Sequence, residues 1–386
     1  MVDRYLNYGL HWVDDKDIKE VVRVLRSERI TQGPKVAEFE EKLADYCDAK
    51  YAVVVSSGTA ALHLASLALG VKAGDEVITS PITFIATSNS VLYCGGKPVF
   101  VDIDEKTYNI DANKIEEKIN HNTKGIIIVD FAGQPCDFDE IKKITQKYNL
   151  WIIEDAAHAL GAEYKGKKIG GLSDLTIFSF HPVKAITTGE GGAIVTNNKA
   201  LYEKLIMLRT HGVTKENSKL KTQNDEAKSA QWYYEMQELS YNYRITDFQC
   251  ALGISQLKKL DRFIQRRREI AWAYNEAFKD INEITIPCEK HGVKSAYHLY
   301  VLQIDFGKLG KTRKQLFDYM EEKRIFLQVH YIPVHLQPYY REKLGYRIGN
   351  FPVAENYYQK AISLPLYPKM DKGDIEFVIT TLKRFL

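Results

Sequence analysis

Six short runs of apolar, largely β-branched residues constrain this chain more than any other feature: 52–55, 76–80, 98–102, 125–130, 150–154 and 175–180. They are continuous, where a half-exposed strand would alternate, so each is expected to be buried on both faces. Stretches of helical pattern separate most of them, and strands joined by helices fold into a mostly parallel sheet flanked by helices, an α/β class. A chain of 386 residues exceeds one hydrophobic core, so a large domain over residues 1–245 and a smaller α+β domain over residues 246–386 are expected. The small domain is entered by a long helical pattern from Ile245 to Phe278, with Thr246 as its N-cap. Strands are expected over 297–304 and 326–331, with a helix over 312–323 between them. At the N-terminus, helices over 14–27 and 34–48 flank the turn Thr31-Gln32-Gly33-Pro34.

Chemistry concentrates where the runs end. The last, LTIFSF, leads through His181 and Pro182 to Lys184 and then to a glycine-rich turn and a second apolar run, Ala193–Val195. A lysine held on such a loop loses part of its hydration, which lowers its pKa and lets the amine attack an aldehyde; a lysine beside a β-turn is the plainer alternative. Ser179 stands at the strand end, in reach of a phosphate oxygen. The run 52–55 passes into Ser56-Ser57-Gly58-Thr59 and an Ala/Leu-rich helix. Free amides and the positive end of the helix dipole make an anion site there, and Gly58 admits a phosphate closely. A simple capped helix fits the same residues. The motif is neither GxxxxGK[ST] nor GxGxxG. Phe84 can stack on a flat ring or fill the core. The run 150–154 delivers Asp155, and an acid at the end of a buried parallel strand lies where open α/β sheets bind ligands. Buried, Asp155 needs a cation, and a protonated pyridine nitrogen serves; His158 can touch the same ring. Metal ligation by this Asp and His lacks further ligands.

Together, an amine for an aldehyde, a carboxylate for a ring nitrogen, a ring for a ring face and a cradle for a phosphate match pyridoxal 5′-phosphate group by group. The motifs SSGTAALHLA, PITFIATSN, EDAAHALGA, FSFHPVKAITTGEGGA and YNYRITDFQCALG also resemble those of the DegT/DnrJ/EryC1/StrS aminotransferases, which aminate nucleotide-linked keto-sugars. The resemblance spans nearly the whole chain. It implies a fold-type-I homodimer with shared active sites. Lys184 becomes the Schiff-base lysine and Asp155 the pyridinium partner, while Ser57, Gly58, Thr59 and Ser179 hold the phosphate. Asn242 would reach that phosphate from the other subunit. His158 stands where many relatives carry glutamine. By the same resemblance L-glutamate is the amino donor. The segments ERITQGP and LQVHYIPVH are similar to sugar-site segments of members that aminate a UDP-linked 4-keto-6-deoxy-N-acetylhexosamine. That implies Tyr8, Glu28, Arg29, Ile30, Thr31, Ala86, Gln328, Val329, His330 and Tyr331 as the UDP-keto-sugar site. Another nucleotide 4-keto-sugar is the alternative.

Other classes fit poorly. A formal net charge of +3 with no basic tail argues against nucleic acid. No apolar stretch approaches a membrane span, and the first residues show no secretory signal. Five scattered cysteines without CxxC spacing read as reduced thiols of a cytoplasmic protein, with no metal site and no desulfurase cysteine. A sugar dehydratase of the same fold would carry histidine in place of Lys184, and a cofactor-sensing regulator would need a DNA-binding module. Residues 213–236, polar and ending in aromatics, read as an excursion able to fold over substrate or as a surface insertion.

Overall fold

The apolar runs become one seven-stranded sheet in a computed structural model that describes residues 5–215, 219–222, 224, 226, 228 and 230–386. Its strands are β1 (Tyr51–Val55), β2 (Glu76–Thr79), β3 (Lys97–Phe100), β4 (Thr123–Val129), β5 (Trp151–Asp155), β6 (Leu175–Ser179) and β7 (Gly192–Thr196). The spatial order is β1-β7-β6-β5-β4-β2-β3. Every neighbouring pair is parallel except those of β7, which runs antiparallel to both β1 and β6. Successive residues of a strand feed opposite cores. Ile126 and Ile128 pack in one cluster with Phe39 and Leu43, whereas Ile127 packs in another with Leu64 and Leu205. Both faces are therefore covered, as continuous apolar strands require.

Helices α1 (Asp15–Leu25), α2 (Pro34–Tyr46), α3 (Gly58–Ala68), α4 (Ala86–Tyr93), α5 (Phe138–Tyr148) and α6 (Lys199–Leu208) accompany this sheet. The expected long helix after Ile245 is two: α7 (Asp247–Leu257) and α8 (Leu260–Phe278). The chain breaks at Lys259, whose ammonium is drawn to Asp14 at 2.7 Å and Asp17 at 2.8 Å. Thr246 caps α7 in a capping box with Gln249, as its position in the sequence suggests. Cys250, Ile254 and Leu257 of α7 lie in the core of the main sheet, while Ile270, Tyr274 and Phe278 of α8 lie in a second core.

That second core is closed by a three-stranded antiparallel sheet, β8 (Ile284–Thr285), β9 (Tyr300–Ile304) and β10 (Ala361–Leu364), with helices Arg313–Glu322 and Lys372–Phe385. Leu6 from the N-terminus completes it. The strand expected over 326–331 does not form. Only isolated bridges remain, Leu6 to Ile325 and Gln328 to Ser363. Side chains take the backbone groups instead: Tyr357 donates to the His330 carbonyl at 2.5 Å, and Gln328 accepts from Val329 N at 2.8 Å. The excursion 213–236 falls partly outside the described residues; its ends, Val213–Thr214 and Glu235–Met236, pair as an antiparallel ladder.

Candidate active site

The ends of β1, β5 and β6 open onto one cavity of about 520 Å³. Its first wall is the turn from β1 into α3. Ser57 caps the helix by accepting from Ala60 N at 3.1 Å, and Ser57, Gly58 and Thr59 face the cavity. This turn sits tightly against two other segments. A Cβ on Gly58 would meet Ser179 Cβ at 2.9 Å, and one on Gly192 would meet the Ser57 carbonyl oxygen at 2.4 Å. Both glycines are thus required for close approach, and they bring the Ser179 hydroxyl beside the amides of the first helical turn. The pair forms a cradle for an anion.

Lys184 sits on a loop that closes on itself. Phe180 N donates to the Gly191 carbonyl at 2.8 Å, Thr188 N to the Phe180 carbonyl at 3.0 Å and Lys184 N to the His181 carbonyl at 2.9 Å. Burial pushes the Lys184 ammonium down to about 8 and the Asp155 carboxylate opposes that shift, while the Arg267 guanidinium adds to it. The lowered value brings the neutral, nucleophilic amine within easier reach than for an exposed lysine.

Asp155 ends β5 and is only 6% exposed. Its Oδ2 accepts from Thr87 Oγ1 at 2.6 Å and its Oδ1 from Ala157 N at 3.2 Å. Thr87 is itself bonded to Thr83 at 2.7 Å. Burial raises the Asp155 carboxyl above its ordinary range despite these donors and the Lys184 ammonium. Among the described residues no cationic side chain pairs with it. A buried carboxylate without a paired cation fits a protonated ring nitrogen. Nothing in the sequence singles out Thr87; it lies in the quoted motif PITFIATSN, three residues after Phe84, in the first turn of α4.

His158 lines the same cavity. The Ala132 amide can only donate, so His158 Nδ1 accepts from it at 3.2 Å, and Nε2 carries the hydrogen toward Tyr331 Oη at 3.2 Å. Its neutral form is favoured by burial, with the Lys184 ammonium adding to the effect. His298, likewise unmarked in the sequence, packs on it with ring centroids 4.4 Å apart. Phe84 is 56% exposed and lines the cavity, as do Tyr8, Ala86 and the whole segment Gln328–Tyr331.

Two groups of sequence candidates lie elsewhere. Glu28, Arg29, Ile30 and Thr31 are exposed and held against the start of α7, with Asp247 N donating to the Ile30 carbonyl at 2.9 Å. Asn242 bridges to Thr210 and accepts from Arg244 N at 3.4 Å. Neither group lines the Lys184 cavity within one chain. Among the described residues no cluster of three or more His, Cys, Asp or Glu side chains is placed to hold a metal, and no helix is long and apolar enough to cross a membrane.

An enclosed amine of lowered pKa, a buried carboxylate lacking a cation and an anion cradle, set at the strand ends of a doubly covered sheet, define a pyridoxal-phosphate-dependent aminotransferase. The chain belongs to the DegT/DnrJ/EryC1/StrS aminotransferase family, which it matches over residues 12–383. It is similar to the UDP-4-amino-4,6-dideoxy-N-acetyl-beta-L-altrosamine transaminase of Campylobacter jejuni subsp. jejuni serotype O:23/36, with 42% identity over 98% of this chain and 96% of that one. Among solved structures it is similar to Helicobacter pylori PseC, an aminotransferase involved in the biosynthesis of pseudoaminic acid. The two share 34% identity at a TM-score of 0.89, covering 99% of each chain. The pyridoxal-phosphate form of a sugar aminotransferase from Streptococcus pneumoniae matches with a TM-score of 0.90 and 30% identity, over 99% of this chain and 100% of that one. The protein is a sugar aminotransferase that uses pyridoxal 5′-phosphate.

Proposed function

We propose that the protein moves an amino group from L-glutamate to C4 of UDP-2-acetamido-2,6-dideoxy-β-L-arabino-4-hexulose, giving UDP-4-amino-4,6-dideoxy-N-acetyl-β-L-altrosamine. The observation that carries this reading is the far wall of the cavity. Tyr8, Ala86 and Gln328–Tyr331, from three distant parts of the chain, line the cavity together with Lys184. These are the positions expected to hold the sugar nucleotide, and relatives with this activity in their names align along nearly the full length. A wall assembled from separate segments holds a sugar in one register, which favours one epimer.

The chain's residues divide the work. Bound pyridoxal phosphate supplies an aldehyde and an electron-withdrawing ring. Ser57, Gly58, Thr59 and Ser179 hold its phosphate, and Asp155, fixed by Thr87, keeps the proton on its ring nitrogen. With the cofactor bound, Lys184 Nζ would take the proton from the α-carbon of the donor and, in the second half-reaction, would deliver one to C4 of the sugar. His158 gives its Nε2 hydrogen to Tyr331, so the Tyr331 hydroxyl keeps its own hydrogen for substrate. In a symmetric dimer, Asn242 of one subunit completes the phosphate site of the other, and Glu28–Thr31 complete the sugar site. The setting is cytoplasmic, where nucleotide sugars are made.

Side-by-side kcat/KM on the β-L-arabino sugar and its D-xylo epimer, with L-glutamate as donor and product identified by mass, tests the reading. A higher value for the D-xylo compound, or turnover only of a dTDP- or GDP-linked 4-keto-sugar, overturns it.

A further inference from the structure

Behind the Lys184 loop lies a charge that the reaction outlined above does not use. Arg267, on α8, is 1% exposed and among the largest fully buried side chains of the protein. A buried guanidinium ordinarily has a carboxylate partner, because an unpaired one is costly to desolvate. Among the described residues Arg267 has none. Its donors go to backbone carbonyls: Nη1 to His298 O at 3.1 Å, Leu366 O at 2.9 Å and Tyr297 O at 3.5 Å, and Nη2 to Val183 O at 3.5 Å. Its Nε has no partner. Three segments therefore converge on one cation. Residue 183 precedes the reactive lysine, residues 297–298 carry the imidazole stacked on His158, and residue 366 follows the last strand of the small sheet.

We propose that Arg267 is a positioning residue for Lys184, a fixed cation that ties the lysine loop to the small sheet behind the reactive amine. Geometry alone makes it a clamp, since no other described side chain donates to Val183 and Leu366 together. Its charge adds a second role. The groups coupled to Lys184 are Asp155 and the imidazoles of His158, His298 and His330, all three kept neutral by burial; Tyr8, His181, Glu190 and Tyr331 line the same cavity. Burial is the main cause of the lowered Lys184 value; Asp155 favours the ammonium, and Arg267 adds to the effect of burial. With the histidines uncharged, Arg267 is the permanent cation among these groups. Lysine in place of arginine retains a charge but lacks the planar fork that spans several carbonyls.

The inference rests on Lys184 being the reactive amine and is independent of which sugar is aminated. It is tested on the apo protein by the pH profile of acetic-anhydride labelling at Lys184, followed by peptide mass spectrometry. In the parent the labelling midpoint should lie near 8. In Arg267→Gln it should rise, while other lysines keep their midpoints. In Arg267→Lys it should stay close to the parent, but amide hydrogen exchange over residues 182–188 and 365–367 should quicken at least tenfold. A parent-like midpoint in folded Arg267→Gln overturns the electrostatic role. If that variant does not fold, Arg267→Lys still decides: a shifted midpoint refutes the charge argument, and parent-like exchange in both segments refutes the clamp. Failure of borohydride to fix the cofactor at Lys184 would instead refute the assignment of the lysine.

Discussion

Replacing Asp155 by asparagine should stabilise the apo protein and destroy its activity, and the structure fixes both signs. The native carboxylate is buried, with Thr87 and Ala157 as its donors and no cation paired among the described residues. Its carboxyl is raised above its ordinary 3.8 mainly by burial. At Asp155 the folded apo protein therefore holds more proton than the unfolded chain between pH 3.8 and the raised folded pKa, and the contribution of this group to stability falls as pH rises through that window. An amide escapes this. In the variant the side-chain carbonyl keeps the Ala157 bond, and the new NH₂ can donate to Thr87 Oγ1 if the Thr87 hydroxyl turns toward Thr83, a reversal that their mutual bond at 2.7 Å allows. Lys184 loses a partner, which returns part of the gain, so the net effect in apo protein at pH 7 is about 1–2 kcal/mol in favour of the variant. Catalysis goes the other way. A neutral amide cannot hold the ring-nitrogen proton by charge, and loss of one member of a buried charge pair is worth roughly 3–5 kcal/mol, or about 10²–10⁴-fold in kcat. Urea unfolding of both apo proteins at pH 7 and at pH 5, with kcat of the cofactor-loaded forms, measures both effects. The stability advantage should narrow at the lower pH. An apo variant less stable than the parent at pH 7, or a kcat within tenfold of it, refutes the reasoning.

Borohydride reduction of the yellow holoenzyme should attach the cofactor to Lys184, read by peptide mass, and Lys184→Ala should show no turnover above background. Because burial pulls the Lys184 ammonium down to about 8, the unfolded chain binds the extra proton between that value and the ordinary 10.5. The parent apo protein should gain stability across that window, and the gain should be absent in Lys184→Met on urea unfolding. Mixing inactive Lys184→Ala and Asn242→Ala chains should restore activity through a hybrid site; proven exchange without recovery would exclude the shared site. Tyr331→Phe removes the hydroxyl bonded to His158 and should raise KM for the sugar several-fold while leaving the half-reaction with glutamate within about twofold.

The sheet is legible in the sequence because its signal is local. Six apolar runs with helices between them leave few topologies, and the reactive groups stand at run ends where such sheets bind ligands. Ser57–Thr59, Asp155, Ser179 and Lys184 are each readable as a residue type at a strand end. Other features rest on contacts far apart in sequence. Arg267 sits mid-helix among charged neighbours, RRRE, and nothing in that pattern marks which arginine is buried. Thr87 gains its role from Asp155, and His298 from His158, partners that only the fold supplies. The segment 326–331 carries β-forming residues and reads as a strand. Its register is fixed by the Tyr357 hydroxyl and by Ser363, whose backbone pairs with Gln328 and whose hydroxyl bonds His330, and propensity cannot report that. The break at Lys259 likewise depends on two acids at the start of α1.

The site carries its charges at a cost that the rest of the fold offsets. Lys184, Asp155 and Arg267 occupy one buried region, and burial works against the charged form of each. A chain selected only for stability would replace them with apolar residues of like volume. Among the described residues no carboxylate pairs with Arg267, and the neighbouring imidazoles stay neutral, so no second cation compensates Asp155. The carboxylate of Asp155 is complementary to a protonated ring, and the lysine amine of lowered pKa to an aldehyde. Binding a cofactor that offers both relieves the electrostatic cost that the apo protein bears. That unfavourable term is therefore the source of affinity for the cofactor. It also explains why Asp155→Asn would make the apo fold more stable and the enzyme inert.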